Sequence, residues 1–229
     1  MTLLTADLWH HYGRARHVVD RAVPDAFRWD WSQNGGPGPR ALGDLAGLCV
    51  GDLGAGSARH AAHLALYHRP AQVIAVDASP AQCAMATDLY GHLAPRLSVV
   101  RADVVGHLSA MPDGYDVLYS VFGAVDFTDP RESLPAAAAA LRPGGRLVFS
   151  TLAHCLNGEP AAPDVRHFDV PARTPEGEAT TIRRWVLAER VWIKLLSDAG
   201  FTRIGVVVLP GEAGPRTADT RLVSAYREA

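Results

Sequence analysis

The sequence is poor in cysteine and has no long apolar segment. Its three cysteines, Cys49, Cys83 and Cys155, are too few and too scattered to form a disulfide framework or a zinc site. It has no apolar run of about 18 residues, the length that a membrane-spanning helix needs. The N-terminus lacks the basic-then-apolar pattern of a signal peptide. We therefore expect a cytoplasmic protein in which the cysteines are reduced.

A strong net charge is also absent. The 229 residues carry a formal net charge of −2 at pH 7, and the isoelectric point is about 6.5. Proteins that bind nucleic acid usually present a basic patch or stripe, so a nucleic acid partner is not expected. With 48% hydrophobic and 20% charged residues, the composition is that of an ordinary globular domain with a sizeable core.

A glycine-rich turn lies between an apolar run and a helical pattern in residues 47–58. Residues 48–50 are apolar, the run ends at Asp52, and Gly54 and Gly56 follow. Glycine has no Cβ, so such a turn can be tight and a ligand can approach the main chain closely. Amides at the start of the next helix then face the ligand. The pattern predicts the strand, turn and helix that open a nucleotide-binding βαβ unit.

Two classes of cofactor use such a turn. A dinucleotide site has a third glycine three residues after the second, but this chain has Arg59 there and also lacks a Tyr-x-x-x-Lys pair. Residues 50–57 instead resemble the first motif of the class I, seven-strand S-adenosylmethionine (SAM) methyltransferases, in which an acidic residue, here Asp52, precedes the glycines. The resemblance implies that SAM is bound by this turn, at Asp52, Gly54, Ala55 and Gly56. A tight turn without a ligand is the alternative.

Two further predicted strands end in acidic residues. Residues 72–77 end at Asp77, where a carboxylate can accept hydrogen bonds from both ribose hydroxyls. Ala78 follows in the Asp-x-Ser pattern of the resembled family. That family also implies that Asp103 binds the adenine amino group and that the Val104 amide reaches a ring nitrogen. An aspartate after a strand is also common as a plain turn residue.

The fourth predicted strand, residues 115–120, borders the ligand site of an open α/β sheet, because ligands bind outside the carboxyl ends of the strands. Tyr119 and Ser120 are therefore expected to flank the cofactor. The Leu-Arg-Pro-Gly-Gly turn at residues 141–145, before a strand at 147–151, is a further resemblance to the family. The Asn-Pro-Pro-Tyr or Asp-Pro-Pro-Tyr signature of DNA amino-methyltransferases is absent.

The whole pattern predicts a Rossmann-like three-layer sandwich with a seven-stranded, mostly parallel sheet and an antiparallel last strand. We expect a helical cap over residues 1–40 and a SAM-binding domain over 41–229. Residues 152–182 interrupt the alternation with four prolines and are expected to be a substrate-covering insertion. A helix is predicted over residues 183–199.

The two segments expected to cover the site carry the candidates for acceptor chemistry. In the resembled family a tyrosine of the N-terminal segment lies near the SAM carboxylate, which implies a role for Tyr12. A hydroxyl acceptor with a high pKa benefits from a general base, most often histidine. The candidates here are His154, His11 and His167. No acidic cluster suggests a metal, so none is expected.

The sequence therefore predicts a SAM-dependent methyltransferase that acts on a small molecule, as a monomer or homodimer without a membrane partner. The Ala-, Arg-, Pro- and Gly-rich composition suggests a high-GC genome, and by analogy bacterial secondary metabolism. An NAD(P)-dependent oxidoreductase and a non-catalytic SAM-binding protein are the alternatives.

Overall fold

The computed structural model describes residues 8–9, 22–174, 176–212, 214 and 216–228. The strands are β1 (Cys49–Leu53), β2 (Gln72–Asp77), β3 (Leu97–Arg101), β4 (Tyr115–Val121), β5 (Leu141–Leu152), β6 (Phe168–Arg173), β7 (Ala179–Arg184), β8 (Phe201–Leu209) and β9 (Thr220–Arg227). The α-helices are α1 (Arg59–Tyr67), α2 (Pro80–Tyr90), α3 (Val104–Ser109), α4 (Ala124–Phe127), α5 (Pro130–Ala140) and α6 (Glu189–Asp198), with short 3-10 helices at Gly38–Leu42 and Gly91–Leu93. None of the helices in these ranges is long and apolar enough to cross a membrane.

Seven of these strands form one sheet in the order β3-β2-β1-β4-β5-β9-β8, and β6 and β7 form a separate hairpin. Strands β3, β2, β1, β4 and β5 are parallel to one another. Strand β9 runs antiparallel to β5 and to β8. Val50 of β1 lies beside Val73 and Val117, so the carboxyl ends of the central strands meet at one edge. The predicted Rossmann-like fold, with its antiparallel last strand, is confirmed.

Alternate residues of each strand point to opposite faces of the sheet, and both faces are covered by other elements. Val50 of β1 packs in a buried cluster that includes Phe27 and Trp29. Leu53 of the same strand packs in the cluster on the other face, which includes Trp192 of α6. Phe27 and Trp29 belong to the segment that the sequence assigns to a cap, and they are 2% and 0% exposed. The described part of that segment therefore contributes to the core.

Two predicted boundaries differ from the structure. The helix expected from residue 183 begins at Glu189, because residues 179–184 pair with β6 and the Trp185 amide donates to the Asp126 carbonyl (2.8 Å). The insertion at 152–182 thus contains β6 and most of β7. Strand β5 also begins earlier than expected, at Leu141, which pairs with Tyr115 across an irregular register.

Candidate functional site

The turn between β1 and α1 leaves no room for a side chain at its first glycine. Gly54 and Gly56 have φ of +77° and +55°, in the left-handed region that favours glycine. A Cβ on Gly54 would lie 2.2 Å from the backbone nitrogen of Ala124, so the start of α4 packs directly on the turn. The Gly54 and Ala55 amides both donate to the Val76 carbonyl, at 2.9 and 3.0 Å. These bonds hold the turn against the end of β2.

Asp77, at the end of β2, joins the turn to the start of α2. Its Oδ2 accepts a hydrogen bond from the Gly56 amide and its Oδ1 accepts one from the Ser79 amide, both at 2.8 Å. Burial raises the pKa of this carboxyl, and the two amide hydrogen bonds oppose that rise. A carboxylate oxygen can accept more than one hydrogen bond, so the predicted contact with ribose hydroxyls is chemically compatible with this arrangement. Ala78 lies between Asp77 and Ser79, which this second hydrogen bond joins.

Asp52 is a buried carboxyl held by Tyr119. The Tyr119 hydroxyl donates to Asp52 Oδ2 at 2.8 Å, and the two residues face each other across the β1–β4 pair. Burial raises the pKa of Asp52 to about 7, the Tyr119 hydrogen bond opposes the rise, and the charge of Asp77 adds to it. Tyr119 itself is fully buried against Phe27 and Trp29. The tyrosine expected to flank the cofactor therefore lies behind Asp52 and positions it.

Ser120 and Asp103 both make hydrogen bonds to backbone groups near strand ends. The Ser120 hydroxyl is fully buried and donates to the Leu53 carbonyl at 2.8 Å, which joins the ends of β4 and β1. Asp103 is exposed, and its Oδ1 accepts from the Gly106 amide at 3.0 Å. It thereby caps α3, whose first residue, Val104, is buried. The cap uses one carboxylate oxygen, so Asp103 keeps the other for the predicted adenine contact.

The predicted general bases lie in different settings. His154 Nδ1 is 3.1 Å from the Cys155 carbonyl oxygen, and its Nε2 is 3.4 Å from the Asp219 amide. With the proton on Nδ1, the ring donates to the carbonyl and accepts from the amide. This geometry favours a structural role for His154. His167 is 38% exposed, and its Nε2 is 3.7 Å from Asp169 Oδ1. His11 and Tyr12 lie outside the described residues, and their roles stay predictions.

A buried ion pair that the sequence reasoning missed lies at the same edge of the sheet. Asp126 is on α4, directly after β4, and Arg184 is the last residue of β7. The Arg184 Nε and Nη2 atoms donate to Asp126 Oδ2 at 3.0 and 2.6 Å, and the two side chains are 5% and 0% exposed. Burial raises the pKa of Asp126, while Arg184 and the Thr151 hydroxyl oppose that rise. The sequence signal was an aspartate in the loop after β4, where ligands of such sheets bind.

The N-terminal tip of the described chain reaches the same edge. The Trp9 ring is 4.5 Å from the Phe127 ring on α4, and the Trp9 carbonyl accepts from the Gln82 side chain on α2 at 3.1 Å. Leu8 packs with Ala172 and Ile182 of the β6–β7 hairpin. Residues 8–9 therefore connect α2, α4 and the insertion.

The chain is similar in sequence to methyltransferases. Residues 50–145 match a family model described as a methyltransferase domain. The O-methyltransferase resE of Aspergillus sclerotiorum is 30% identical over 153 residues, which cover 62% of this chain and 55% of that protein. The chain thus spans about half the length of the curated relative that it matches.

Solved structures show the same fold. A protein from Listeria monocytogenes, assigned as a SAM-dependent methyltransferase, has a TM-score of 0.63 at 19% identity, covering 83% of this chain and 95% of that one. The Burkholderia thailandensis 1,6-didemethyltoxoflavin-N1-methyltransferase, solved with 1,6-didemethyltoxoflavin and S-adenosylhomocysteine, has a TM-score of 0.53 at 20% identity, covering 82% of this chain and 77% of that one. At these identities the likeness establishes the fold.

Proposed function

We propose that this chain is a class I SAM-dependent methyltransferase that transfers the methyl group of SAM to a small-molecule acceptor. The observation that carries the proposal is the site built by the turn and the end of β2. A turn with glycine at residues 54 and 56 is hydrogen-bonded to Val76 and to Asp77, and a buried carboxyl, Asp52, directly precedes it. The match to the methyltransferase model covers these residues.

The residues present fit SAM by their chemistry. SAM supplies a methyl group activated by a sulfonium, together with a ribose, an adenine and a charged amino acid. Asp77 offers acceptors to the ribose hydroxyls, and Asp103 offers one to the adenine amino group. The buried Asp52 carboxyl complements a cationic group, since a charge taken out of water needs an opposite partner. Methyl transfer then depends mainly on holding the acceptor in line with the methyl group.

A dinucleotide cofactor such as NAD(P) is disfavoured by the residue at the start of α1. Arg59, the first residue of that helix, occupies the position where a dinucleotide site has its third glycine.

We propose a small-molecule acceptor because the relative named above is an O-methyltransferase and a structural neighbour was solved with a small heterocycle. Secondary metabolism and a cytoplasmic location belong to the same proposal.

The proposal is tested by calorimetric titration of the protein with S-adenosylhomocysteine, with NAD as the control. Micromolar binding of S-adenosylhomocysteine and no binding of NAD are expected. Binding of NAD alone would overturn the proposal in favour of an oxidoreductase. Transfer of label from methyl-labelled SAM to a panel of acceptors then separates an enzyme from a protein that only binds SAM.

Asp77→Ala is expected to weaken binding of S-adenosylhomocysteine at least tenfold. The substitution removes an acceptor for the ribose hydroxyls, and a hydrogen bond to a charged group is worth about 1.5–3 kcal/mol. It also frees the Gly56 and Ser79 amides that Asp77 holds. The matched control is Asp198→Ala, which removes an exposed carboxylate on α6. Equal affinity in the two variants would refute the assignment of Asp77.

Binding of S-adenosylhomocysteine is expected to release a proton from Asp52. With a pKa of about 7, Asp52 is mostly protonated at about pH 6, and the ligand's ammonium group favours the carboxylate. The release approaches one proton at about pH 6 and disappears at about pH 8.5. Calorimetry in two buffers of different ionisation enthalpy measures it.

Asp52→Asn serves as the control for that proton release. This variant cannot ionise at residue 52, so it is expected to bind without releasing the proton. Release of the same size in Asp52→Asn would assign the proton to another group. The raised pKa of Asp52 also makes the stability of the free protein depend on pH. The contribution of Asp52 to stability is present below about pH 4 and is lost as the pH rises through about 7.

A further inference from the structure

The two outer strands of the sheet are covered to different degrees. At one edge, β3 has five residues, and its valines, Val99 and Val100, are partly buried against the two core clusters. At the other edge, β8 has nine residues, and Val207 and Val208 are 57% and 49% exposed. In the described part of the chain, no strand other than β9 pairs with β8. The amide and carbonyl groups on the outer side of a long edge strand are a template for pairing with another strand.

The second half of β8 lacks the features that usually prevent such pairing. Proteins protect edge strands with charged residues, proline or a β-bulge. In β8 the irregular register lies before this half, between residues 202 and 205. The charged side chain there, Arg203, is turned over the Tyr226 ring, with its guanidinium carbon 3.9 Å from the ring centre. Residues 205–209, which we call the open edge, are Gly-Val-Val-Val-Leu and contain neither charge nor proline.

The exposed valines of the open edge lie on opposite faces of the sheet. Val207 is paired with Leu222 of β9, on the face of the buried cluster that includes Trp29. Val206 and Val208 point to the other face, because side chains alternate along a strand. A helix or loop packed on one face would leave the valine on the other face exposed. A strand paired with the edge contacts both, because it also places side chains on both faces.

The open edge is complementary to a second copy of itself in the antiparallel direction. A two-fold axis through Val207, perpendicular to the sheet, places this residue opposite its own copy. Val206 then lies opposite Val208 of the second copy. Gly205 lies opposite Leu209, which pairs the smallest residue of the segment with the largest. Directly opposite side chains have Cβ atoms about 4.5–5.5 Å apart, so each exposed valine gains an apolar neighbour and no like charges meet.

We propose that the protein forms a two-fold symmetric dimer in which the β8 strands of two copies pair antiparallel, centred on Val207, so that the two sheets join into one. The second copy is favoured as the partner because an isologous contact uses the same uncharged segment twice. The open edge supplies five residues, fewer than the roughly 20–30 residues per side of a standard interface. The dimer is therefore expected to dissociate in the micromolar range. The pairing depends neither on the cofactor nor on the reaction.

Analytical ultracentrifugation of the whole chain, between about 1 and about 200 µM, tests the dimer. The sedimenting mass is expected to rise with concentration from the 24.5 kDa of one chain towards twice that value. A single species of 24.5 kDa at every concentration would overturn the inference. Growth beyond the dimer would overturn it as well, because the proposed contact uses the open edge of both copies and leaves none for a third.

Val207→Lys is expected to weaken the self-association roughly tenfold or more, because it places two ammonium groups opposite each other at the axis. Leu66→Lys is the matched control. It introduces the same charge at another exposed apolar residue, on α1, which packs against β2 on the far side of the sheet from β8. This control should associate as the wild-type protein does. Equal weakening in both variants would assign the effect to net charge and contradict the proposed contact.

Cysteine substitutions test the register. In Val207→Cys the new thiols lie opposite each other across the axis, at a Cβ separation of about 4.5–5.5 Å that approaches the roughly 3.5–4.5 Å of a disulfide. In Val208→Cys each new thiol lies opposite residue 206 of the second copy. Mild oxidation is therefore expected to cross-link Val207→Cys alone, and Val208→Cys only when it is mixed with Val206→Cys. The wild-type protein measures the background from its three native cysteines. Equal cross-linking of Val207→Cys and Val208→Cys, each alone, would overturn pairing centred on Val207.

Discussion

Replacing Gly54 by alanine is expected to abolish binding of S-adenosylhomocysteine and to lower the free energy of unfolding by roughly 3 kcal/mol or more, through backbone strain and overpacking. The added Cβ would lie 2.2 Å from the backbone nitrogen of Ala124, and a backbone atom cannot rotate away as a side chain can. The turn is also bonded twice to Val76. The clash must therefore move either the turn or α4, and both border the proposed cofactor site.

Gly47→Ala is a closely matched control for that substitution. Gly47 has φ of +75°, almost the same as the +77° of Gly54, but a Cβ there would have no atom within 4 Å. It should cost only the backbone strain, about 1 kcal/mol, and leave ligand binding intact. Urea unfolding and calorimetry measure the two effects separately. If Gly54→Ala binds S-adenosylhomocysteine as well as Gly47→Ala does, the turn is not the cofactor site.

The sequence predicts the parallel strands of the sheet and the position of the glycine turn well, because those signals are local. Apolar runs that end in Asp52 and Asp77 identify β1 and β2 directly, and parallel strands bring their carboxyl ends to one edge. The start of α2 is encoded in the same way, because Ser79 caps the helix and Pro80 is its first residue. Each of these features depends on a few consecutive residues.

The surroundings of Asp126, Tyr119 and His154 depend on contacts that are distant in sequence. Asp126 and Arg184 are 58 residues apart. The helix predicted over residues 183–199 would place Arg184 in its first turn, whereas the structure has Arg184 at the end of β7. The orientation of Tyr119 follows from its pairing with Asp52 across two strands. The environment of His154 depends on the Asp219 amide, 65 residues away. The position of a histidine in the sequence therefore does not show whether its ring nitrogens are available to act as a base.

Breaking the Asp126–Arg184 pair from one side is expected to lower the free energy of unfolding by about 3–5 kcal/mol, whereas replacing both residues should cost much less. Asp126→Asn leaves a guanidinium without its counter-charge, and Arg184→Met leaves a carboxylate that is 0% exposed. Burial of a lone charge costs more than the pair gains, so the double variant should recover most of the loss. Single variants that each cost less than about 1 kcal/mol would contradict this expectation.

The pH dependence identifies which charge is stranded. In Arg184→Met the pKa of Asp126, already raised by burial, loses the guanidinium that opposes the rise. The folded protein then binds a proton that the unfolded chain releases, so this variant should regain stability as the pH falls and lose it as the pH rises. Asp126→Asn has no carboxyl to protonate and should show no such recovery. Lys194→Met breaks an exposed pair on α6 and should stay within about 0.5 kcal/mol of wild type throughout. Urea unfolding of the wild-type protein and these three variants, between about pH 5 and about pH 8, measures the difference.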